Sequence, residues 1–253
     1  MLSIAQRELA ALFKSPMAWL VAAALQVFFA WFFLSTLEQY MLVQDRLALQ
    51  DHAPGITGFM TFRYLAPCAG LLLIICPLLG MRAYADEYRQ GTFILLQSAP
   101  LSVKAIVLGK FLGNFLFIAF ILMLALIMPL SLGLMTRIDF ATLTLSLLGL
   151  LAVAAFCTSV ALLFSSLTRH ALVAAITSTM VLVIFWSLGK TAMSDQTLQL
   201  ISQTASTSNH LGSFFQGLLN SGDLIYFAAL TLLALMLTLI RVGSLGWSSS
   251  PGR

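Results

Sequence analysis

The sequence predicts an all-α integral membrane protein with six transmembrane helices, an N-terminal amphipathic interfacial helix and a short cytoplasmic helix between spans 2 and 3. Hydrophobic residues make up 60% of the 253 residues, and charged residues make up only 9%. Soluble proteins carry roughly 25% charged residues, so this chain cannot cover a water-facing surface. Its apolar residues also form long runs instead of the spaced stripes of soluble helices.

The long apolar runs define the spans within one transmembrane domain that covers residues 1–253. A helix needs about 20 apolar residues to cross roughly 30 Å of hydrocarbon. The first run continues through Phe32, which is too long for a signal peptide, so we interpret it as a retained anchor. The second run is short unless residues 59–64 extend it. The predicted spans are approximately 17–37, 59–80, 111–135, 143–165, 171–188 and 224–240.

The distribution of Lys and Arg predicts the orientation of the chain. If the N-terminus is cytoplasmic, the inside segments hold nine of these residues and the outside segments hold four. Cytoplasmic loops carry an excess of positive charge, so we expect both termini to be cytoplasmic in a multi-pass protein of the bacterial inner membrane. The net charge of +4 is small and gives no indication of nucleic acid binding.

Residues 1–15 precede the first span and carry an apolar stripe at helical spacing. Leu2, Ala5, Leu9 and Leu12 lie on this stripe, and Arg7 lies off it. This pattern favours an amphipathic helix in the cytoplasmic membrane interface. The alternative is a poorly ordered terminus, which would leave the apolar stripe in water.

The cytoplasmic segment 82–104 is too long for a simple connector. Residues 82–90 are expected to form a short charged helix that ends at Gly91, since glycine tolerates positive φ. Ser102 is a candidate cap for the helix that leads into the third span. One interpretation is a docking surface for a soluble partner; the other is a set of cations at lipid headgroups, which charge alone favours.

The cytoplasmic segment contains, in this order, Asp86-Glu87, Arg89, Gly91-Thr92, Leu95-Leu96, Ala99-Pro100 and Gly109-Lys110. This order resembles the ABC-2 type permeases, the membrane subunits of a large group of ABC exporters. Ile94 stands where the pattern of that family usually has Glu. The segment 210–227 resembles the region before the last span in the subgroup named for gliding motility and nitrous oxide reductase maturation.

The resemblance implies that the short cytoplasmic helix is a coupling helix in a groove of an ATPase subunit. ATP binding would close two ATPases, and the helix would carry this movement to the spans. Tyr84 and Tyr88 are spaced i, i+4 and share one face; they would pack into the groove or anchor at lipid headgroups. Glu87 is the foremost candidate. The full set of ATPase-contact residues is Tyr84, Asp86, Glu87, Tyr88, Arg89, Gly91 and Thr92.

The chain has no G-x-x-x-x-G-K-[ST] phosphate loop, so it is expected to be a non-catalytic subunit that binds no cofactor or metal itself. ATP and Mg would be bound by a partner ABC ATPase present in two copies. Because an ABC transporter needs two membrane halves, we expect a homodimer or a heterodimer with a similar permease. Membrane lipid and a periplasmic accessory protein are further candidate partners.

Three other functions are alternatives to a permease subunit. A secondary transporter usually places ionisable residues deep in the membrane, and no Asp, Glu, Lys or His falls clearly within a predicted span. An intramembrane hydrolase needs a His beside its Ser, whereas the three His residues fall in loops. An assembly subunit that moves no solute remains open. Gln26 and Asn114 either line a translocation path or form hydrogen bonds between helices, which is the commoner role.

The outside segment 190–223 also exceeds a connector in length. Its second half has apolar residues at helical spacing, including Phe214 and Phe215. These residues either form an extracytoplasmic gate or belong to a helix that rests on lipid. The sequence carries no signal for the substrate, and export follows from the resemblance alone.

Overall fold

The computed structural model describes residues 2–47, 56–91, 102–134, 136, 138–188 and 204–248. Within these ranges the chain is helical and contains no strand. The helices are α1 (Leu2–Lys14), α2 (Pro16–Leu47), α3 (Ile56–Met60), α4 (Ala66–Gly80), α5 (Arg82–Gln90), α6 (Val103–Ser131), α7 (Phe140–Leu167), α8 (Ala171–Ser187), α9 (Thr207–Phe215) and α10 (Ser221–Ser248). A π-helical turn at Thr61–Leu65 joins α3 to α4, and a 3₁₀ turn at Leu132–Leu134 follows α6.

Five helical stretches in the described part of the chain are long and apolar enough to cross a membrane. They are Pro16–Gln44, Thr57–Gln90, Val103–Ser131, Phe140–Leu167 and Ser221–Ser244. Ala171–Ser187 is also apolar but has only 17 residues, or about 26 Å of helix. The all-helical membrane class is therefore confirmed, with five spans of sufficient length and a sixth apolar helix that is shorter.

The observed helices extend beyond most of the predicted spans. The first was predicted at 17–37, whereas α2 continues to Leu47. The third was predicted to begin at 111, whereas α6 begins at Val103, where the Ser102 hydroxyl accepts a hydrogen bond from the Ala105 amide. The fourth begins at Phe140, because the Asp139 carboxylate accepts hydrogen bonds from the first amides of α7. Several helices are thus longer than the spans predicted from their apolar runs.

Helix α7 lies at the centre of the bundle and packs against α4, α5, α6, α8, α9 and α10. Small residues allow its closest approaches: a Cβ atom at Gly80 of α4 would lie 2.9 Å from the Ala161 Cβ atom. Such small residues are typical of membrane helix interfaces, where close van der Waals packing replaces the hydrophobic effect. Apolar side chains on the outer faces of α2 and α10 remain exposed, among them Val27, Trp31, Leu34, Leu232, Met236 and Ile240.

The two ends of α7 belong to opposite faces of the bundle. Ser165 contacts α5, and Ser146 contacts α9. Thr142, beside Gly217, lies 23 residues before Ser165, which corresponds to about 35 Å of helix. We call the face with α1, α5 and the start of α6 the charged face. Helix α9 and the start of α10 lie at the opposite face.

Candidate functional site

Helix α5 follows the second span almost without interruption. Met81, the residue between α4 and α5, keeps right-handed helical dihedral angles, with φ −57° and ψ −31°. The helix ends at Gly91, which adopts the left-handed region with φ +70°. A side chain at this position would be strained, so the glycine fixes where α5 stops. Thr92 lies outside the described residues.

The Ser165 hydroxyl from α7 is inserted into the backbone at the junction of α4 and α5. Its Oγ atom donates to the Met81 carbonyl at 2.8 Å and accepts from the Tyr84 amide at 3.0 Å and the Ala85 amide at 3.3 Å. In an uninterrupted helix the Met81 carbonyl would accept from the Ala85 amide. A side chain that enters this ladder bends the helix, so Ser165 both shapes the junction and ties it to α7.

A buried lysine joins α5 to two other helices. Lys110 Nζ lies 2.6 Å from Glu87 Oε1 and 3.0 Å from Glu8 Oε1. The lysine side chain is only 2% exposed, and the two glutamate side chains are 20% and 22% exposed. The ammonium also lies 5.3 Å from the centre of the Tyr84 ring, within range of a cation–π interaction. We call Glu8, Glu87 and Lys110 the Lys110 cluster.

Helix α1 reaches this cluster because α6 has a glycine where the two helices cross. A Cβ atom at Gly113 would lie 2.6 Å from the Glu8 Cβ atom and 3.2 Å from the Ala5 carbonyl oxygen. Ala5 is buried, whereas Arg7 is exposed. The predicted helix at residues 1–15 is thus present over Leu2–Lys14, and part of its apolar stripe packs on the protein. Its position in the membrane interface stays a prediction.

The inner face of α5 is directed into the bundle. Tyr84 is fully buried and packs among Ile106, Leu162 and Val242. The Tyr88 ring stacks on the Tyr84 ring, with 6.3 Å between their centres. Together with Glu87, these residues form a stripe at positions i, i+3 and i+4 that contacts the neighbouring helices.

The outer face of α5 carries exposed charges. Asp86 and Arg89 form an ion pair at 3.6 Å, and their side chains are 32% and 67% exposed. Arg82 is also exposed, and the three residues lie at positions i, i+4 and i+7 of one stripe. The predicted ATPase-contact residues are therefore split between two faces. Asp86 and Arg89 are accessible to a partner, whereas Tyr84 and Glu87 are committed to contacts within the chain.

The two polar residues predicted for a translocation path are both engaged with backbone groups of α6. Gln26 Nε2 donates to the Ile121 carbonyl at 2.9 Å, which links α2 to α6. Asn114 Nδ2 donates to the Lys110 carbonyl at 3.1 Å within its own helix. The Gln26 bond matches the helix-packing interpretation. A role of either residue in translocation stays a prediction.

Phe214 and Phe215, the predicted gate residues, are buried at the opposite face, with exposed fractions of 0% and 4%. Phe214 lies against Gly149 of α7, and its carbonyl accepts a hydrogen bond from Ser146. They therefore belong to the core between α9 and α7 in this structure. Their role as a gate stays a prediction.

A polar cluster beside them was missed by the sequence analysis. His210 Nδ1 lies 2.5 Å from the Asp223 carboxylate, and His210 Nε2 lies 2.9 Å from the Thr204 carbonyl. Ser213 donates to the second carboxylate oxygen of Asp223. Because the serine bonds to the aspartate and both imidazole nitrogens are occupied, this arrangement does not activate a nucleophile. It joins α9 to the start of α10.

Comparison with known proteins identifies the family to which the chain belongs. A sequence model of the family described as ABC-2 family transporter protein matches residues 2–245. No curated protein matches the chain. The matched region includes the helices α1–α9 and most of α10. The chain therefore belongs to the ABC-2 family of transporter proteins, whose members are transmembrane permeases of ABC transporters.

Proposed function

We propose that this chain is the permease subunit of an ATP-driven ABC-2 exporter in which α5 is the coupling helix. Members of the family typically work with a separate ABC ATPase. The observation that carries the proposal is the division of α5 into two faces. Its outer stripe presents exposed charges, and its inner stripe is fastened to α1, α6 and α7.

This division suits a helix that transmits movement. A partner that moves the outer stripe displaces the whole helix, because Glu87 is ion-paired to Lys110 and the junction at Met81 is bonded to Ser165. The displacement then reaches α6 through Lys110 and α7 through Ser165. Packed helices shift as discrete bodies instead of deforming continuously, so a small movement of α5 repositions two spans.

Six membrane crossings fit the contacts better than five. Helix α8 contacts α5 at the charged face and α9 at the opposite face, so its 17 residues connect the two faces. On this topology both termini lie on the charged face. The excess of Lys and Arg on that side favours a cytoplasmic position for the charged face. In the proposed arrangement the membrane is a bacterial inner membrane, and α5 can meet an ATPase in the cytoplasm.

The complete transporter would contain two copies of an ABC ATPase that bind ATP and Mg. The second permease would be another copy of this chain or a similar chain, with a periplasmic protein as a further candidate partner. The segment 210–227 supports placement in the subgroup named for gliding motility and nitrous oxide reductase maturation.

The first test is affinity purification of the tagged chain in mild detergent, with mass spectrometry of the proteins that remain bound. We expect an ABC ATPase in roughly equal amount. A chain that purifies alone, even with a non-hydrolysable ATP analogue present, contradicts the proposal and favours a secondary transporter or an assembly subunit.

Charge reversal on α5 then tests the contact surface. Arg89→Glu should release the ATPase, because it replaces an exposed cation of the outer stripe with an anion. Arg169→Glu is the matched control, since Arg169 is also exposed and lies near the same face at the end of α7. Full retention of the ATPase by the Arg89 variant would exclude this stripe as the contact.

A further inference from the structure

Two adjoining cavities lie at the charged face, between the turn that joins α1 to α2 and the end of α4. The first has a volume of about 190 Å³ and reaches the Lys110 cluster and Asn114. The second has a volume of about 50 Å³ and extends along the start of α2. Leu12, Leu79 and Arg82 line both cavities. We call the combined space the elbow groove.

The elbow groove lies at the membrane boundary whichever way the protein is oriented. One of its walls is the start of the first span, and the other is the end of the second span. Two consecutive spans cross in opposite directions, so these two ends meet at the same membrane surface. The groove therefore faces the headgroup region of one leaflet, with its apolar end directed along the spans.

The elbow groove carries an excess of negative charge at the Lys110 cluster and a separate positive charge at Arg82. At its polar end, two carboxylates share one ammonium in the Lys110 cluster, which leaves one negative charge in excess. The Glu87 Oε2 atom is buried and has no hydrogen-bond partner among the described residues. Arg82 is an exposed cation of the same groove and forms no ion pair with any residue that the structure describes.

The other end of the elbow groove is mainly apolar, with Ser15 as a polar residue in its lining. Its apolar lining includes Met17, Ala18, Val21 and Leu78. These side chains can pack against a hydrocarbon chain but offer no hydrogen bonds. A ligand that fits the whole groove therefore needs an acyl chain, an anionic group for Arg82 and a cationic group with N–H donors for the carboxylates. An unpaired buried carboxylate oxygen is costly, so such a donor would be favourable there.

We propose that the elbow groove binds one aminophospholipid of the phosphatidylethanolamine type. The phosphate of the lipid pairs with Arg82, and its primary ammonium donates to the unpartnered carboxylate oxygen of Glu87 in the Lys110 cluster. One acyl chain lies along Met17 and Val21. Phosphatidylcholine has no N–H donor on its quaternary ammonium, and phosphatidylglycerol has no cation. The elbow groove therefore distinguishes these lipids by the charge and the hydrogen-bond donors of their headgroups, not by their acyl chains.

This site does not depend on the proposed function, because lipid binding needs no ATPase. The test is native mass spectrometry of the delipidated full-length chain, titrated separately with three lipids that share the same acyl chains. These lipids are phosphatidylethanolamine, phosphatidylcholine and phosphatidylglycerol. We expect one tightly retained phosphatidylethanolamine per chain, with an affinity roughly tenfold above that of the other two. Equal retention of all three, or preference for phosphatidylglycerol, would overturn the proposal.

Two variants assign the contacts. Arg82→Gln removes the phosphate partner and should weaken binding of phosphatidylethanolamine roughly tenfold, whereas Arg169→Gln, an exposed arginine outside the groove, should leave it unchanged. Glu8→Gln lowers the excess negative charge and should reduce the preference for phosphatidylethanolamine over phosphatidylcholine. An Arg82→Gln chain that binds phosphatidylethanolamine as tightly as the wild type contradicts the site. If a variant fails to fold, the relative affinities of the three lipids for the unaltered chain still test the proposed site.

Discussion

The ammonium of Lys110 and the carboxylate of Glu87 lie 2.6 Å apart, although 23 positions separate them in the chain. The same ammonium lies 3.0 Å from Glu8, so one side chain joins α1, α5 and α6. Because Lys110 is buried, its charge is stabilised by these two carboxylates and not by water. Loss of a partner would leave a buried charge without compensation, which is strongly destabilising. The Lys110 cluster therefore holds three helices of the charged face in one relative position.

Removal of Lys110 should destabilise the protein strongly. Lys110→Met leaves the carboxylates of Glu8 and Glu87 close together without a cation, and breaking a buried ion pair in this way costs roughly 3–5 kcal/mol. Thermal unfolding of the purified chain in detergent would show this as a lower midpoint. Lys104→Met is the control, because Lys104 is exposed on the same helix and its replacement should change little.

A double substitution separates a lost ion pair from a general packing defect. Lys110→Met combined with Glu87→Gln removes one of the stranded charges, so its destabilisation should be smaller than the sum of the two single effects. Strict additivity would mean that the two side chains do not interact, contrary to the structure.

The outer stripe of α5 should contribute to partner binding and little to stability. Asp86, which is partly exposed, pairs with the exposed Arg89 three residues later, and surface pairs of this kind are worth about 0–1 kcal/mol. Asp86→Ala should therefore keep the melting midpoint of the wild type while it reduces stimulation of the partner ATPase in proteoliposomes. Glu87→Ala should lower both quantities, since Glu87 belongs to the Lys110 cluster. Loss of stability in the Asp86 variant would contradict this division.

Ser165→Ala should alter the junction of α4 and α5. The variant loses the hydroxyl that bonds to Met81, Tyr84 and Ala85, and the Met81 carbonyl can then accept directly from the Ala85 amide. We expect a destabilisation of about 1 kcal/mol and a straighter junction, with changed hydrogen exchange at residues 84 and 85.

Ser166→Ala is a suitable control for the Ser165 variant. Within the described part of the chain, the Ser166 hydroxyl bonds to the Leu163 carbonyl of its own helix, so its removal should leave exchange at the α4–α5 junction unchanged. Identical exchange at residues 84 and 85 in both variants would show that Ser165 does not shape the junction.

The orientation of the chain can be tested with reporters. A reporter that is active only outside the cytoplasm should stay inactive when it is fused after Arg253, and it should be active when it is inserted at Thr136 in the turn between α6 and α7. The expectation follows from the nine-to-four distribution of cations. An active reporter at Arg253 would reverse the topology and place α5 away from any cytoplasmic ATPase.

The sequence predicted the features that depend on local composition. The apolar runs located the cores of the spans, and Gly91 and Ser102 marked the end of α5 and the start of α6. The ends of the spans were predicted less accurately, because a helix such as α2 continues through polar residues beyond its apolar run.

The sequence could not predict which contacts the site residues make. Glu8 and Lys110 are 102 positions apart, and no local pattern signals that pairing. The sequence around Glu87 is the same whether this side chain faces a partner or the bundle. The burial of Tyr84 shows which side of α5 is turned inward. The position of Phe214 in the sequence is likewise compatible with a gate residue, a lipid-facing residue or a core residue. Its packing against Gly149 shows that it is a core residue in this structure.

The crossing of α1 over α6 gives a prediction with a matched control in the same chain. Gly113→Ala adds a Cβ atom that would lie 2.6 Å from the Glu8 Cβ atom and 3.2 Å from the Ala5 carbonyl. Helix α1 must move away, and the Glu8–Lys110 pair should lengthen or break. We expect faster hydrogen exchange along residues 2–14 and a lower melting midpoint.

Gly70→Ala supplies the control, because a Cβ atom at Gly70 meets no atom within 4 Å. Gly70 also lies in an apolar helix, α4, so the change in intrinsic helix preference is the same in both variants and favours alanine by up to about 1 kcal/mol. The Gly70 variant should therefore be as stable as the wild type or more so. If Gly113→Ala behaves in the same way, α1 is not held against α6 at this crossing, and the Lys110 cluster must be maintained by Glu87 alone.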